Sequence, residues 1–308
     1  MSVPLFLVQL LNGLELGMLL FLVSAGLTLI FGVMGFINLA HGALYMVGAY
    51  LAFTFTAVTG SFFLALILVF PAMFLFGLGL DALVFRHFYD RGHLDQVLVT
   101  FGLIVVLDEG VKMIWGRAPL SLPIPAAFSG SIVLMDGLLY PVFRLATIGA
   151  GLAVAVLLSV LVSRTRIGML VRAGATNAPI VAALGVNIRR LFMFVFGFGT
   201  MLAGFAGVMA APIFAVEPEM GDEFLILAFV VIVTGGIGSI RGAFIAALLV
   251  GLVDTLGRSF ATDILKLAMS SSAAGRIGPA LASILIYVLM AAVLFFRPAG
   301  LFPAAGRA

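Results

Sequence analysis

The chain has 308 residues, of which 64% are hydrophobic and only 9% are charged. A soluble domain carries roughly 25% charged residues, so this composition excludes an ordinary soluble protein. The chain has no cysteine, which excludes disulfides, thiol catalysis and cysteine-based metal sites. The net charge is only +3 and comes from arginines between apolar spans, which argues against nucleic acid as a partner. Runs of about 20 apolar residues recur along the chain and predict a helical protein that crosses the membrane several times.

Four apolar spans are predicted in the first part of the chain. They cover about residues 5–33, 43–58, 62–85 and 94–115. The segment GFINLAHG between the first two spans contains polar residues and glycines but no charged residue. It is less polar than an ordinary exposed loop. The fourth span carries Asp108, Glu109 and Lys112, which can pair on one helix face. A charged residue inside a membrane span usually has a function, so the cluster is a candidate for the transport path or its gate. Trp115 marks the outer membrane interface one turn away, so a structural place near the lipid headgroups fits the cluster as well.

Five further spans are predicted, which makes nine apolar spans. We expect about eight or nine transmembrane helices, some of them broken. They cover about residues 141–162, 191–215, 224 to a break near 235, 243–253 and 277–296. External loops are predicted over residues 116–140, 216–223 and 258–275. The sixth span contains Gly197, Gly199, Gly204 and Gly207. Glycines at such spacing let helices approach closely in lipid, so this span is predicted to be central.

Residues 163–190 form the longest charged interruption between apolar spans. The segment contains Arg164, Arg166, Arg172, Arg189 and Arg190 and no acidic residue. Arginine near span ends is retained on the cytoplasmic side, so this loop is predicted to be cytoplasmic. Alternation then places Arg86, Arg91, Arg241, Arg297 and Arg307 inside as well, together 10 of the 16 basic residues. The other six are Lys112, Arg117, Arg144, Arg258, Lys266 and Arg276. This bias predicts an external N-terminus and an internal C-terminus.

A short helix is predicted inside this cytoplasmic loop. Asn177 can cap it, Pro179 fits its first turn, and Gly185 supplies a left-handed stop after Leu184. The residues between, from Ile180 to Leu184, have no charged face. An apolar helix flanked by arginines suggests a surface covered by another protein, and a helix folded back on its own spans fits equally well.

Two interrupted spans resemble one another. VMGFINLAHGA begins at Val33 and VTGGIGSIRGA at Val233, so that Gly35, Gly42 and Ala43 match Gly235, Gly242 and Ala243. Broken helices at corresponding places in two halves point to a transport pathway, although two simple tight turns explain the pattern as well. Asn38 and His41 are the polar side chains of the first break. His41 either lines the path or is a hydrogen-bonded structural residue, and a metal site is not supported because the three histidines form no helical pair.

The sequence offers no catalytic machinery. It has no GxxxxGK[ST] motif, and its two lysines, Lys112 and Lys266, do not follow a glycine-rich loop. The chain therefore cannot hydrolyse ATP by a P-loop mechanism. No combination of nucleophile, base and metal ligands is evident either, so we predict that the chain is not an enzyme.

Five stretches of the sequence resemble branched-chain amino acid ABC transporter permeases of the LivH type. They are GLTLIFGVMGFINLAHGALYMVGAYLAF, RIGMLVRAGATNAPIVAALGVNIRRL, FGTMLAGFAGVMAAP, AFVVIVTGGIGSIRGAFIAALLVG and FRPAGLF. The resemblance implies a single transmembrane permease domain over residues 1–308 with an ABC importer permease fold, in a bacterial inner membrane. It also implies a second, LivM-like permease subunit, two cytoplasmic ATPases that hold ATP and magnesium, and a periplasmic binding protein. No cofactor is expected on this chain itself.

The resemblance also assigns residues to roles. The segment from Ala178 to Leu184 is similar to the family's coupling segment, and the ATPase-coupling residues are Arg172, Asn177, Pro179, Ala182, Ala183, Leu184 and Gly185. The expected translocation path contains Asn38, His41, Gly42, Asp108, Glu109, Gly235, Gly236 and Gly238. The substrate is a branched-chain amino acid or a related small amino acid, amide or carboxylate. An ion- or proton-coupled secondary transporter that uses Asp108, Glu109 and His41 stays open as the alternative.

Overall fold

The computed structural model describes residues 3–135 and 138–303, so Arg307 lies outside the described residues. In this part the chain forms ten α-helices and one short β-hairpin. The helices are α1 (Val3–Met34), α2 (His41–Thr59), α3 (Phe62–Leu83), α4 (His93–Trp115), α5 (Val142–Arg164), α6 (Arg166–Ala183), α7 (Ile188–Ala210), α8 (Met220–Gly235), α9 (Ile240–Leu265) and α10 (Ser271–Phe296). The strands β1 (Ser131–Met135) and β2 (Leu138–Pro141) are antiparallel, with Ile132 opposite Tyr140. The predicted all-α class is confirmed.

Seven of the described helices are long and apolar enough to cross a membrane. They are α1, α2, α3, α5, α7, α9 and α10. Helix α4 carries the cluster around Asp108, and α8 has only 16 residues. These two lie where the fourth and seventh spans were predicted. The chain is therefore a multi-pass membrane protein.

The three predicted external loops are more structured than the sequence suggested. The stretch 116–140 contains a 3₁₀ turn, Ala126–Phe128, and most of the β-hairpin, while residues 136 and 137 lie outside the described part. The prediction for 216–223 was wrong at its end, because α8 begins at Met220. The prediction for 258–275 was also wrong, since α9 continues to Leu265 and α10 begins at Ser271. Arg258 pairs with Asp254 and Lys266 with Asp263 along the helix, which makes charged residues compatible with helix here.

Helix α1 is the centre of the bundle. Apart from a few polar residues such as Asn12 and Glu15, it is apolar on all sides, as expected of a helix without a solvent-facing surface. It packs against α5, α7, α8 and α9. A Cβ atom on Gly13 or Gly17 would lie 3.0 Å or less from the α9 backbone, so these glycines set the close approach of the two helices. Only 11% of the most apolar 18-residue stretch of helix α10 is buried, so this helix lies at the periphery.

Helix α7 is also central, as its glycines predicted. Gly199 packs against Gly26 of α1, and Gly204 against Gly48 of α2. Gly207 approaches the backbone of Tyr45, where an added Cβ would lie 2.2 Å from the carbonyl oxygen. These contacts allow α1, α2 and α7 to pack backbone against backbone.

The charged residues distinguish the two ends of the bundle. We call the end that holds residues 163–190 the inner end. Gly32 of α1, Arg172 of α6, Arg241 of α9 and Pro303 line one cavity of about 1020 Å³ there. The other end carries Lys112, Arg144, Arg258 and Lys266, each of which pairs with a carboxylate. Of its basic residues, only Arg117 and Arg276 form no salt bridge to another described residue. None of the five loop arginines forms a salt bridge to another described residue. Unpaired arginine is thus concentrated at the inner end, in agreement with a cytoplasmic loop.

Candidate functional site

The first break, between α1 and α2, turns back into the helix bundle. Gly35 adopts a positive φ of 64° and ends α1, and residues 35–40 are not helical. His41, the first residue of α2, bonds through Nε2 to the carbonyl oxygen of Val23 at 3.0 Å. Val23 precedes Met34, the last residue of α1, by 11 positions (34 − 23), which corresponds to roughly 16 Å of helix. The chain therefore returns this far alongside α1 before α2 starts.

The polar side chains of this break are enclosed by protein. Asn38 and His41 are both fully buried. Gln96 of α4 accepts a hydrogen bond from the backbone N–H of Ile37 at 3.3 Å and donates to the carbonyl oxygens of Phe88 and Arg91. Gln96 thus ties the break to the turn between α3 and α4. Among the residues described by the structure, no three His, Asp or Glu side chains are grouped so that they could hold a metal ion.

Two pairs of glycines hold α8 at its two ends. Gly42 of α2 packs against Gly221, and a Cβ on either residue would lie 2.2 Å from the other's carbonyl oxygen. Gly235 and Gly242 make the same kind of contact at the other end of α8. Tyr45 stacks on Phe224 beside the first pair, with 4.6 Å between ring centroids. Gly42 of the first break and Gly242 of the second therefore clamp α8 near its two ends, whereas a Cβ on Gly35 would meet nothing within 4 Å.

Gly42→Ala is expected to destabilise the protein. The new methyl group would overlap the backbone of Gly221, which cannot move aside like a flexible side chain, and overpacking of this kind costs about 1–3 kcal/mol. The midpoint of heat-induced loss of the monodisperse peak in detergent measures the effect. Gly102→Ala in α4 is the matched control, because a Cβ there meets nothing within 4 Å. Equal midpoints for the two variants would contradict the clamp.

The second break differs from the first in shape. It is a tight turn of residues 236–239 at the inner end, in which Gly236 and Gly238 have positive φ values of 106° and 82°. A Cβ on Gly32 would lie 2.8 Å from the Cα of Gly238, so the turn packs directly on the end of α1. Ser239 caps α9 by accepting a hydrogen bond from the N–H of Gly242. The tight-turn interpretation is therefore correct for this break and wrong for the first one.

The charged cluster of α4 joins the loop before α8. Lys112 donates to Glu109 at 3.0 Å and to Glu219 at 2.8 Å. The hydrogen bond from Lys112 lowers the pKa of Glu219 below its usual value. Asp108 is buried and lies beside this network without a hydrogen bond from Lys112. Trp115, one turn farther along, donates to Thr54 of α2 at 2.8 Å and holds the outer end of α4. The predicted Glu109–Lys112 pairing is confirmed, whereas the partner from the α7–α8 connection was not foreseen.

A buried ionic group between α1 and α5 was not predicted from the sequence. Glu15 of α1 is 3% exposed and forms a salt bridge with Arg144 of α5 at 2.9 Å. Asn12 accepts hydrogen bonds from the same guanidinium and from the hydroxyl of Tyr140. The available signal was a lone glutamate within an otherwise uncharged apolar span. An isolated charge in such a span needs a partner from another helix.

The predicted loop helix is present as the second half of α6. The backbone leaves helical geometry at Asn177 (φ −157°, ψ 88°), whose side-chain oxygen accepts a hydrogen bond from the N–H of Ile180 at 3.0 Å. At the other end Gly185 has a φ of 88°. Its N–H bonds to the carbonyl of Ala182, and the N–H of Val186 bonds to that of Val181. This pair of hydrogen bonds is a Schellman motif, so the predicted capping at both ends is confirmed.

The loop helix presents an apolar surface. The side chains of Ile180 and Leu184 are 58% and 78% exposed. Pro179, Ala182 and Ala183 are exposed beside them, whereas Val181 is buried. Arg172 lies in the first half of α6, before the kink at Asn177, and lines the inner cavity. The helix is therefore not folded back with its apolar face against its own spans.

Asn177→Ala is expected to loosen the loop helix selectively. Loss of an N-cap side chain costs about 1 kcal/mol, so the amide of Ile180 should exchange hydrogen about fivefold faster. Asn177→Asp keeps an acceptor at the same place and should restore slow exchange. Hydrogen exchange followed by mass spectrometry over residues 178–186 measures both. Unchanged exchange in Asn177→Ala would show that the cap contributes nothing to this helix.

Residues 9–294 match the family described as "Branched-chain amino acid transport system / permease component". The chain is 29% identical to the high-affinity branched-chain amino acid transport system permease protein BraD of Pseudomonas aeruginosa, over 96% of this chain and 95% of that protein. It is 28% identical to the permease protein LivH of Escherichia coli K12, over 83% of this chain and 87% of that protein. It is 26% identical to a probable LivH protein of Methanocaldococcus jannaschii, over 77% and 76% of the two chains.

No solved structure is significantly similar to this chain. The relatives are transport permeases and not enzymes. The family match covers both breaks, the loop helix, α7 and α1 from residue 9 onward. The match over nearly the whole length shows that the chain belongs to the permease component family of branched-chain amino acid transport systems.

Proposed function

We propose that this chain is one permease subunit of an ATP-driven importer in a bacterial inner membrane. Its solute is a branched-chain amino acid or a related small amino acid, amide or carboxylate. A second, LivM-like permease subunit completes the membrane part, two cytoplasmic ATPases bind ATP and magnesium, and a periplasmic binding protein delivers the solute. This chain contributes the path and the contact to an ATPase, and it binds no cofactor itself.

The observation that carries the proposal is the exposed apolar face of the loop helix. Ile180 and Leu184 are exposed at the end of the molecule where the arginines have no acidic partner within the described residues. This end lies outside the lipid, so an apolar face there is stabilised when another protein covers it. A helix that fits into a groove of its partner is a common mode of such recognition. The neighbouring Arg172 suits an acidic rim on the ATPase.

The two breaks supply the moving part of the proposed path. Backbone without helical hydrogen bonds is tolerated at membrane depth only against protein or a water-filled cavity. Asn38, His41 and Gly42 lie in the re-entrant break, and Gly235, Gly236 and Gly238 lie in the inner one. Asp108 and Glu109 would lie at the outer end of the path. Helix α8 contacts both breaks through its glycine pairs, so a shift of α8 changes both together.

Reconstitution tests the proposal against the secondary-transporter alternative. Liposomes that contain the complete assembly should take up the solute only with ATP and the binding protein, and a proton uncoupler should not inhibit the initial rate. Liposomes that contain only the permease subunits should show no uptake. Uptake by the permease subunits alone that the uncoupler abolishes would overturn the proposal in favour of ion coupling through Asp108, Glu109 and His41.

A further inference from the structure

The terminal motif FRPAGLF forms a defined structure after α10. Helix α10 ends at Phe296, and Pro298 has no backbone N–H with which to continue it. The N–H of Gly300 bonds to the carbonyl of Arg297 at 2.9 Å and closes a turn. Gly300 has a φ of 84°, which favours glycine. The turn reverses the chain and directs residues 301–303 back toward the bundle.

The chain after this turn caps the end of α8. The N–H of Leu301 donates to the carbonyl of Thr234, and the N–H of Phe302 donates to the carbonyl of Gly235, both at 2.9 Å. The last carbonyls of a helix have no donor within the helix, and Thr234 is fully buried. Buried carbonyls need a partner from elsewhere. Residues 297–303, which we call the terminal cap, supply that partner.

A close contact between two glycines fixes the terminal cap on the inner break. A Cβ on Gly300 would lie 2.5 Å from the N and Cα atoms of Gly236. A Cβ on Gly236 would lie 2.8 Å from the carbonyl oxygen of Phe302. The atoms in the way belong to the backbone, so neither position has room for a side chain. Pro303 then lines the inner cavity together with Arg172 of α6.

We propose that the terminal cap is a positioning element of the transport cycle and that Gly300 is its positioning residue. The terminal cap joins the end of α10 to the end of α8. The turn 236–239 therefore keeps its shape and moves together with α10. The cap borders the cavity through Pro303, and the facing wall of that cavity is the part of α6 from Arg172 to Thr176 that leads into the loop helix. This role rests on the proposed function, because the inner break must be part of the path.

Gly300→Ala in the complete transporter tests the cap. Two measurements are made in liposomes: hydrogen exchange at the amides of Leu301 and Phe302, and the amount of solute transported per ATP hydrolysed. Loss of one buried hydrogen bond corresponds to about tenfold faster exchange. We expect that acceleration in the variant together with a ratio of transport to hydrolysis that falls by about fivefold or more while ATP hydrolysis continues. Gly275→Ala is the matched control, since it lies in α10 and an added Cβ meets nothing within 4 Å.

The remaining outcomes separate the cap from the proposed function. Fast exchange with an unchanged transport ratio would overturn the positioning role, and fast exchange already in the wild type would overturn the cap itself. If Gly300→Ala fails to assemble, a chain ended after Gly300 is compared with one ended after Pro303, and equal transport ratios for the two would overturn the proposal. A wild-type assembly without ATP-dependent uptake would contradict the proposed function, while protected amides at residues 301 and 302 would still show the cap.

Discussion

Leu184→Asp is expected to abolish solute transport and leave the permease folded in the membrane. The side chain of Leu184 is 78% exposed, so the substitution removes little contact within this chain. In the proposed complex the same side chain is buried against an ATPase, where an unpaired carboxylate is strongly unfavourable. A central apolar anchor of an interface is typically worth about 2–4 kcal/mol, so the affinity for the ATPase should fall by about 100-fold. Copurification of the ATPase with the permease and ATP-driven uptake measure the two effects.

A control for the added charge is available at the other end of the bundle. Leu267, in the connection between α9 and α10, is 88% exposed. Leu267→Asp therefore introduces the same charge at an equally open leucine, and we expect it to retain ATPase and transport. Wild-type uptake in Leu184→Asp would show that the loop helix does not dock an ATPase. Loss of copurification in both variants would mean that charge anywhere on the chain disturbs assembly.

The loop helix was predictable because its determinants are local. Asn177, Pro179 and Gly185 act on residues no more than five positions away, through a side-chain cap, a fixed φ and a left-handed stop. Capping rules apply to such segments regardless of what packs around them. Which face of the helix is covered depends on the tertiary fold, and the sequence left that question open. The exposure of Ile180 and Leu184 excludes the folded-back alternative.

The breaks were predictable in place but not in shape. Glycine and polar residues mark both, yet only the bond from His41 to Val23 shows that the first one returns into the bundle. Periodicity cannot reveal a partner that lies far along the chain. The same limit explains why Glu219 was missed as the second partner of Lys112, 107 positions away. The error over residues 258–275 has a local cause: hydroxyl and charged side chains suggested a loop, although Arg258 and Lys266 pair with acidic residues one helical turn away.

Arg144→Met is expected to cause the largest loss of stability among substitutions at the outer end. It leaves the carboxylate of Glu15, whose side chain is 4% exposed, without its cation inside the bundle. Breaking a buried ion pair by removing one partner costs about 3–5 kcal/mol. The Arg144 side chain is 35% exposed, so water partly screens the pair and the lower end of that range applies. The melting midpoint in detergent should fall by several degrees, and the yield of folded protein should fall with it.

The double variant Glu15→Gln/Arg144→Met identifies the cause. A neutral amide at position 15 removes the buried charge and brings an N–H donor three residues from Asn12, whose side-chain oxygen loses the hydrogen bond from Arg144. Most of the lost stability should therefore return, because the penalty comes from an unpaired ion and not from the absent guanidinium. Arg276→Met is the control for loss of a basic residue, since Arg276 is exposed in the second turn of α10. If the double variant were as unstable as Arg144→Met alone, the packing of the arginine side chain between α1 and α5, and not its charge, would be what stabilises the outer end.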